Sequence, residues 1–309
     1  MFPNVDGPTA VYLANLEKNQ NQMTQVETEM SSGLRVQQAS DDPLDVPQIL
    51  ELKTELNQNQ QIQTNLGQAS AELNTADSAL QTAISAVSNA LTLGLEGASS
   101  TATTEQQNDL AQQVEGIQQT LVNVANTQVN GRYIFSGDED DQPAYQLDPS
   151  NTTEGVTQVA TGSATRVIAD ATGTTITVAK TAQQIFDPQD QGTGQPASNN
   201  TFAAIQLLIT GLTSGNQGDI TQATTNLQSA STYLNDQLAF YGNAENQIAS
   251  AQDLAQKFQT QQTQELSTLQ DADVASLAVQ LNLEQVQNQA ALSVGATLLQ
   301  NKNLFSYLG

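Results

Sequence analysis

The sequence predicts a mainly α fold: a long antiparallel coiled-coil rod formed by both chain halves, with a small β-rich domain inserted in the middle. Three observations predict it. Over about residues 50–95, Leu52, Leu66, Leu73, Leu80 and Val87 hold one heptad position, and Ile62, Ala69, Ala76, Ala83 and Ala90 hold the other, with Asn59 the polar exception. A second array follows Asp219, where Leu227, Leu234, Tyr241, Ile248, Ala255 and Leu269 alternate with Ala230, Ala244, Ala251 and Phe258, interrupted by Gln237 and Gln262. Leu on one position and Ala on the other describes a closely spaced helix pair. Between Gly131 and Asn200 the pattern changes to short β-branched runs broken by Gly and Asn, the signature of strands and turns.

The elements follow in order. From Ala10 to Ser32, Leu16, Met23 and Met30 recur every seven residues, with Tyr12 and Val26 interleaved and Asn19 between them. So weakly filled a seam needs a partner helix. Ser31-Ser32-Gly33 is a helix stop. Ser40 to Pro47 is a helix start, because acidic side chains cap free N–H groups and proline is tolerated in a first turn. Two prolines four residues apart cannot both lie inside the helix, so it begins nearer Val46 than Pro43. It runs roughly 65–70 Å at ~1.5 Å per residue. After Gly94, Gly97 and a polar turn, a third helix carries Leu110, Val114, Ile117, Leu121 and Val124 and ends near Asn130-Gly131.

The insert opens with a short apolar strand, Tyr133-Ile134-Phe135. Strands are also expected at Val156 to Ala160, Thr165 to Ala169 and Thr174 to Ala179. A helix resumes near Phe202, turns at Gly215–Gly218, and Asp219 is expected to cap the second long array. The last helix, about Val274 to Phe305, carries Val279, Leu283, Val286, Ala290, Val294 and Leu298 on one stripe, the expected partner of the first helix. Antiparallel pairing then places both termini at one end. Three regions are expected: 1–44 with 270–309 as a terminal helical assembly domain, 45–130 with 201–269 as the long bundle, and 131–200 as the insert.

Composition narrows the function. Thirty-two acidic against 8 basic side chains give a net charge of −24. Nucleic-acid binding needs cations to displace phosphate counterions, so that partner is not expected, nor is adhesion to anionic lipid. With no Cys and no His, thiol nucleophiles, imidazole catalysis and most transition-metal sites are absent. An enzyme is not expected, and neither is a cofactor. No apolar run approaches the ~18 residues of a membrane span, and the opening MFPNVDGPTAVYL has neither the basic cluster nor the apolar stretch of a cleaved signal.

Carboxylate chemistry survives that filter. Asp138-Glu139-Asp140-Asp141 invites a calcium reading, but the run lacks the glycine and later Glu of an EF-hand, and a solvated loop accounts for it. Asp41 with Asp42, and Asp271 with Asp273, invite a glycosidase reading. Both pairs precede predicted helices, where carboxylates cap and favour the dipole. Arg132 and Tyr133 sit at a helix-to-strand junction, where Arg132 either makes a subunit contact or pairs with a nearby acid. Arg35, one of the few cations, stands in the same position.

Several strings together resemble a known family. Ser31-Ser32-Gly33-Leu34-Arg35-Val36, followed by Ala39-Ser40-Asp41-Asp42-Pro43, resembles the N-terminal signature of bacterial flagellins and their junction relatives. Asn126 through Gly137 (NTQVNGRYIFSG), with Asn130, Gly131, Arg132, Tyr133, Phe135 and Gly137, resembles the hook-associated protein 3 type, with Ile134 at an aromatic place. Leu269-Gln270-Asp271-Ala272-Asp273 and Ala290 to Leu308 resemble the family's C-terminal helix. The resemblance spans about 10–137 and 200–308. It is looser between, where Arg166-Val167-Ile168 to Ile185-Phe186 follows the usual strand pattern. Departures are the opening MFPNVDGPTA, which lacks a short basic start, and Pro47, where small residues are common.

The resemblance implies an extracellular subunit of the bacterial flagellum, joining hook to filament and exported unfolded by the flagellar type III route without a cleaved signal. Its implied partners are the preceding junction protein, flagellin, copies of itself and an export chaperone. Leu16, Met23, Val26, Met30, Arg35, Val279, Leu283, Val286, Val294 and Leu298 would carry subunit assembly. A filament-forming flagellin is the alternative. Flagellin-like recognition by a host receptor is not expected, because Asn89 to Ser100 lacks the arginine that such flagellins carry.

Overall fold

The computed structural model describes residues 7–164 and 166–305, with side chains described between 9 and 297. Among the described residues, seven helices and six short strands follow in the order α1 (Gly7–Ser32), α2 (Val46–Gly97), α3 (Thr104–Ala125), β1 (Gln128–Val129), β2 (Arg132–Tyr133), β3 (Tyr145–Leu147), β4 (Val156–Gln158), β5 (Val167–Ala169), β6 (Thr175–Thr177), α4 (Ala182–Phe186), α5 (Thr201–Ser214), α6 (Gln217–Gln270) and α7 (Val274–Phe305). The fold is mainly α with a small β insert. Two compact units divide the chain, one of residues 1–58 with 259–309 and the other of residues 59–258.

In the larger unit the two Leu/Ala arrays meet as expected. Leu66, Leu73, Leu80 and Val87 of α2, and Leu227, Leu234, Tyr241 and Ile248 of α6, are all at most 2% exposed. Each such aliphatic side chain contributes about 1.5–3 kcal/mol on leaving water. The pairing is antiparallel: Asn59 donates to the Ala255 carbonyl at 2.8 Å, while Gly94, near the other end of α2, lies against Thr224. Two of the polar interruptions find hydrogen-bond partners. Buried Asn59 makes that bond, and buried Gln237 accepts from Lys180 Nζ at 2.6 Å.

Caps set the helix boundaries. Thr103 with Gln106 forms a capping box at α3, and Thr181 with Gln184 forms one at α4. Asn200 caps α5, which ends at Gly215 in the left-handed region. The cap of α6 is Asn216, whose Oδ1 accepts from the Gly218 amide at 3.0 Å. Asp219, expected in that role, lies inside the first turn and accepts from Asn216 Nδ2.

The insert is three two-stranded antiparallel ribbons, β1–β2, β3–β4 and β5–β6. The third helix stops at Ala125, short of Asn130-Gly131, because those two residues turn the β1–β2 hairpin. Both have positive φ, 52° and 80°, as a two-residue hairpin turn requires. The strand expected at Tyr133-Ile134-Phe135 survives only at Tyr133; Ile134 and Phe135 leave the ribbon and enter the core. Ile185 and Phe186, expected in a strand, lie in α4, where the Thr181–Gln184 box starts a helical turn and buries both. Strand β3 had no β-branched run to announce it. Thr165 lies outside the described residues.

Phe135 organises this core. Its ring meets Phe186 at 6.2 Å and Tyr241 at 6.3 Å, both edge-on, and its carbonyl accepts from the Ala182 amide at 2.7 Å. One residue type is forced two positions later. Gly137 has φ +69°, and a Cβ there would stand 2.6 Å from the Ser163 carbonyl oxygen. Gly137→Ala is therefore expected to cost about 2–4 kcal/mol, from left-handed strain and overpacking together, read as a lowered urea midpoint.

Candidate assembly surface

The smaller unit holds the residues expected to carry assembly. On α1 the heptad seam turns inward: Val26 is buried, and Tyr12, Leu16, Asn19 and Met23 are half-buried. Met30, placed in the same series, is 38% exposed, because α1 ends two residues later. Antiparallel α7 covers the seam. Tyr12 Oη donates to the Ala291 carbonyl at 2.9 Å, and Asn19 Nδ2 donates to Glu284 Oε2 at 3.0 Å.

The face of α7 that meets α1 is not the expected one. Among the described residues its buried and half-buried positions are Leu277, Ala278, Leu281, Glu284, Asn288, Ala291 and Gly295. The apolar stripe points elsewhere: Val279 is 71% exposed, Val286 63%, Leu283 55% and Val294 54%. Leu298 has its side chain outside the described residues. Close approach explains the choice. A Cβ on Gly295 would collide with the Tyr12 hydroxyl, so only a small-residue face lets that ring reach the α7 backbone. The two stripes share the same three-and-four spacing, so periodicity could not rank them. Exposed apolar residues elsewhere in this unit, Val11, Leu13, Leu44 and Leu50, fell outside the sequence reading; Leu44 between Pro43 and Asp45 was the one with a visible signal.

The α1–α2 and α6–α7 connections are knitted together. Arg35 N donates to the Gln270 carbonyl and Ala272 N to the Gly33 carbonyl, at 2.8 and 2.9 Å. The Arg35 guanidinium reaches Asp42 at 2.8 Å, Asp45 at 2.6 Å and the Leu269 carbonyl at 2.6 Å. Asp42 also accepts from the Leu44 and Asp45 amides, closing a turn ahead of α2 where it was expected to cap the helix itself. Asp41 instead folds back onto the Gln37 and Gln38 amides. Pro43 is exposed between them. Asp273 caps α7 through the Ala275 and Ser276 amides, while Asp271 accepts from Ser267 Oγ.

The Arg35 hydrogen bond, with help from the Asp45 and Leu44 amides, holds the Asp42 carboxyl below the usual carboxylate range. A depressed carboxyl stabilises the fold above its unfolded pKa of about 4 and loses that contribution as pH falls through its lower folded value. Arg35→Ala is expected to raise the Asp42 midpoint toward the ordinary value in a carboxyl-carbon NMR titration.

The remaining motif residues lie in the larger unit and do not join this surface. Arg132, 66% exposed, pairs with Asp140, and Asp140 also meets Arg166 at 3.3 Å. Glu139 accepts from the Thr161 amide at 3.0 Å and Asp138 from the Ser163 amide at 2.6 Å. The acidic run is thus a clasp on the 161–166 segment, not a freely solvated loop. No group of three or more metal-binding side chains exists among the described residues, and no helix there is long and apolar enough to cross a membrane.

Comparison with known proteins agrees with these features. Residues 4–140 match the family described as the bacterial flagellin N-terminal helical region. The chain is 26% identical over 291 residues to flagellar hook-associated protein 3 of Escherichia coli, covering 90% of each chain. It is also 26% identical over 211 residues to the Salmonella typhimurium protein of that name, covering 67% of this chain and 65% of the other. The crystal structure of hook-associated protein 3 from Legionella pneumophila matches the fold with a TM-score of 0.62 at 15% identity, over 72% of this chain and 98% of that one. The chain is thus similar to bacterial flagellins over its N-terminal helical region, and to hook-associated protein 3 over most of its length.

Proposed function

We propose that this chain is the hook–filament junction subunit of the bacterial flagellum, a structural protein and not an enzyme. The observation that carries the reading is the α7 stripe. A flagellin-like chain leaves Val279, Leu283, Val286 and Val294 uncovered while the same helix buries Glu284 against α1. Such a row in water has no use within the monomer and marks a contact with another subunit. The junction is favoured over the filament because the relatives matched across most of their length are hook-associated proteins.

In this reading residues 1–44 with 270–309 form the assembly domain lining the inner tube. Residues 45–130 with 201–269 form the supporting bundle, and 131–200 the outer insert. Contacts run through Met30, Arg35 and the α7 stripe including Leu298, while Leu16, Met23 and Val26 support assembly from the seam beneath α7. The partners are the preceding junction protein, flagellin and neighbouring copies, with a chaperone holding the chain before type III export to the cell exterior. Neither nucleic acid nor membrane insertion has a part in it.

Electron microscopy of the purified protein under salting-out conditions, with and without hook fragments, tests this. Decoration of hook ends primed with the preceding junction protein, without self-filaments, is the expected result. Long filaments from the protein alone would make it a flagellin instead.

A further inference from the structure

Beneath the β3–β4 ribbon lies a pair of carboxyl groups that assembly does not use. Asp187, the C-cap residue of α4, is 3% exposed. Its Oδ2 accepts from Tyr145 Oη at 2.7 Å, and its Oδ1 accepts from Asn200 Nδ2 at 2.6 Å and Gln189 Nε2 at 2.5 Å. Glu154, on the β3–β4 connection, accepts longer bonds from the same two amides, Gln189 Nε2 and Asn200 Nδ2, both at 3.3 Å. The Asn200 amide orientation is set independently, because its Oδ1 caps α5 at the Ala203 amide. Three neutral donors therefore converge on Asp187, which leaves it the accepting member of the pair. Two carboxyl groups drawing on the same two amides disfavour a double charge, and the proton that one of them takes belongs to Glu154.

We propose that Glu154 and Asp187 form a one-proton latch, which holds the β3–β4 ribbon and the segment after α4 against the start of α5 and loosens when the proton leaves. The surroundings offer the charge no other compensation. Helix α3 presents Gln118, which donates to the Glu154 carbonyl at 3.1 Å and to Gln206 of α5. Strand β3 presents Tyr145, whose burial and acidic neighbours keep its hydroxyl protonated well above the usual range. Asp148 and Asp190 turn to their own loops, and Glu115 of α3 is exposed across the neighbouring cleft. No lysine or arginine among the described residues bonds the pair. Burial, then the Asp187 charge, push the Glu154 carboxyl up to about 7.

The sign follows from linkage. The closed ribbon keeps a proton that the opened ribbon releases above the unfolded glutamate pKa of about 4.3. The latch is fully effective below that value, weakens by up to tenfold per pH unit, and is lost through about 7. The test is amide hydrogen exchange on the full chain from pH 5 to 8.5, corrected for the intrinsic rate. Protection over residues 145–158 and 185–200 is expected to fall between pH 5 and 7 and then level off, while Glu154→Gln flattens that dependence and leaves α1 and α7 unchanged. Equal pH profiles in the parent and Glu154→Gln would overturn the proposal. Should the variant fold poorly, a carboxyl-carbon NMR titration of the parent decides: a Glu154 midpoint near 7 supports the latch, and one near the ordinary glutamate value sinks it.

Discussion

Leu283→Asp is expected to abolish incorporation at hook ends while leaving the isolated subunit intact. The side chain is 55% exposed and sits mid-stripe between Val279 and Val286. A carboxylate there removes little from the monomer, so its stability should stay within about 0.5 kcal/mol of the parent. In an assembled tube the same carboxylate would be forced into an apolar contact without a counter-charge, a burial that costs several kcal/mol. Hook decoration scored by microscopy, with thermal unfolding followed by circular dichroism, separates the two effects. Undiminished decoration would show that the stripe is not the contact. Loss of decoration together with early unfolding would mean instead that the stripe serves the subunit's own fold.

Phe135→Ala is expected to produce the largest loss of stability, about 3–5 kcal/mol. The ring is 1% exposed and bridges Phe186 of α4 and Tyr241 of α6. Its removal empties the point where the insert joins the helices. Equilibrium urea unfolding measures the change. A loss below about 1 kcal/mol would mean that the site collapses around the cavity and that the aromatic cluster does not organise the insert. Phe135→Leu, which keeps most of the volume, should recover much of the difference.

The helical part of this protein was legible because its signals are local and repeated. Five successive heptads of Leu and Ala leave one solution, a close antiparallel partner, and the second array supplies it. Asn59 and Gln237 could be marked as exceptions in that pattern but not explained, since their partners, the Ala255 carbonyl and Lys180, are 196 and 57 residues away in sequence. The insert was legible only as β. Its strands are two or three residues long, too short for alternation to be read, and capping by Thr181 outweighed the strand preference of Ile185 and Phe186. The Glu154–Asp187 pair had no signal at all, because its members lie on separate segments that meet only in the folded chain.

What the sequence by itself determined is the list of long helices, the antiparallel pairing of the two Leu/Ala arrays and the flagellin likeness. Each rests on periodicity or on a contiguous string. Only the tertiary structure decided which face of α7 turns to α1. Two stripes of equal spacing compete there, and the winner is set by how closely Tyr12 can approach Gly295 and by the hydrogen bond of Asn19 to Glu284. Hydrophobicity alone would have chosen the other stripe. Steric fit and polar satisfaction overruled it, and the apolar row was left facing outward.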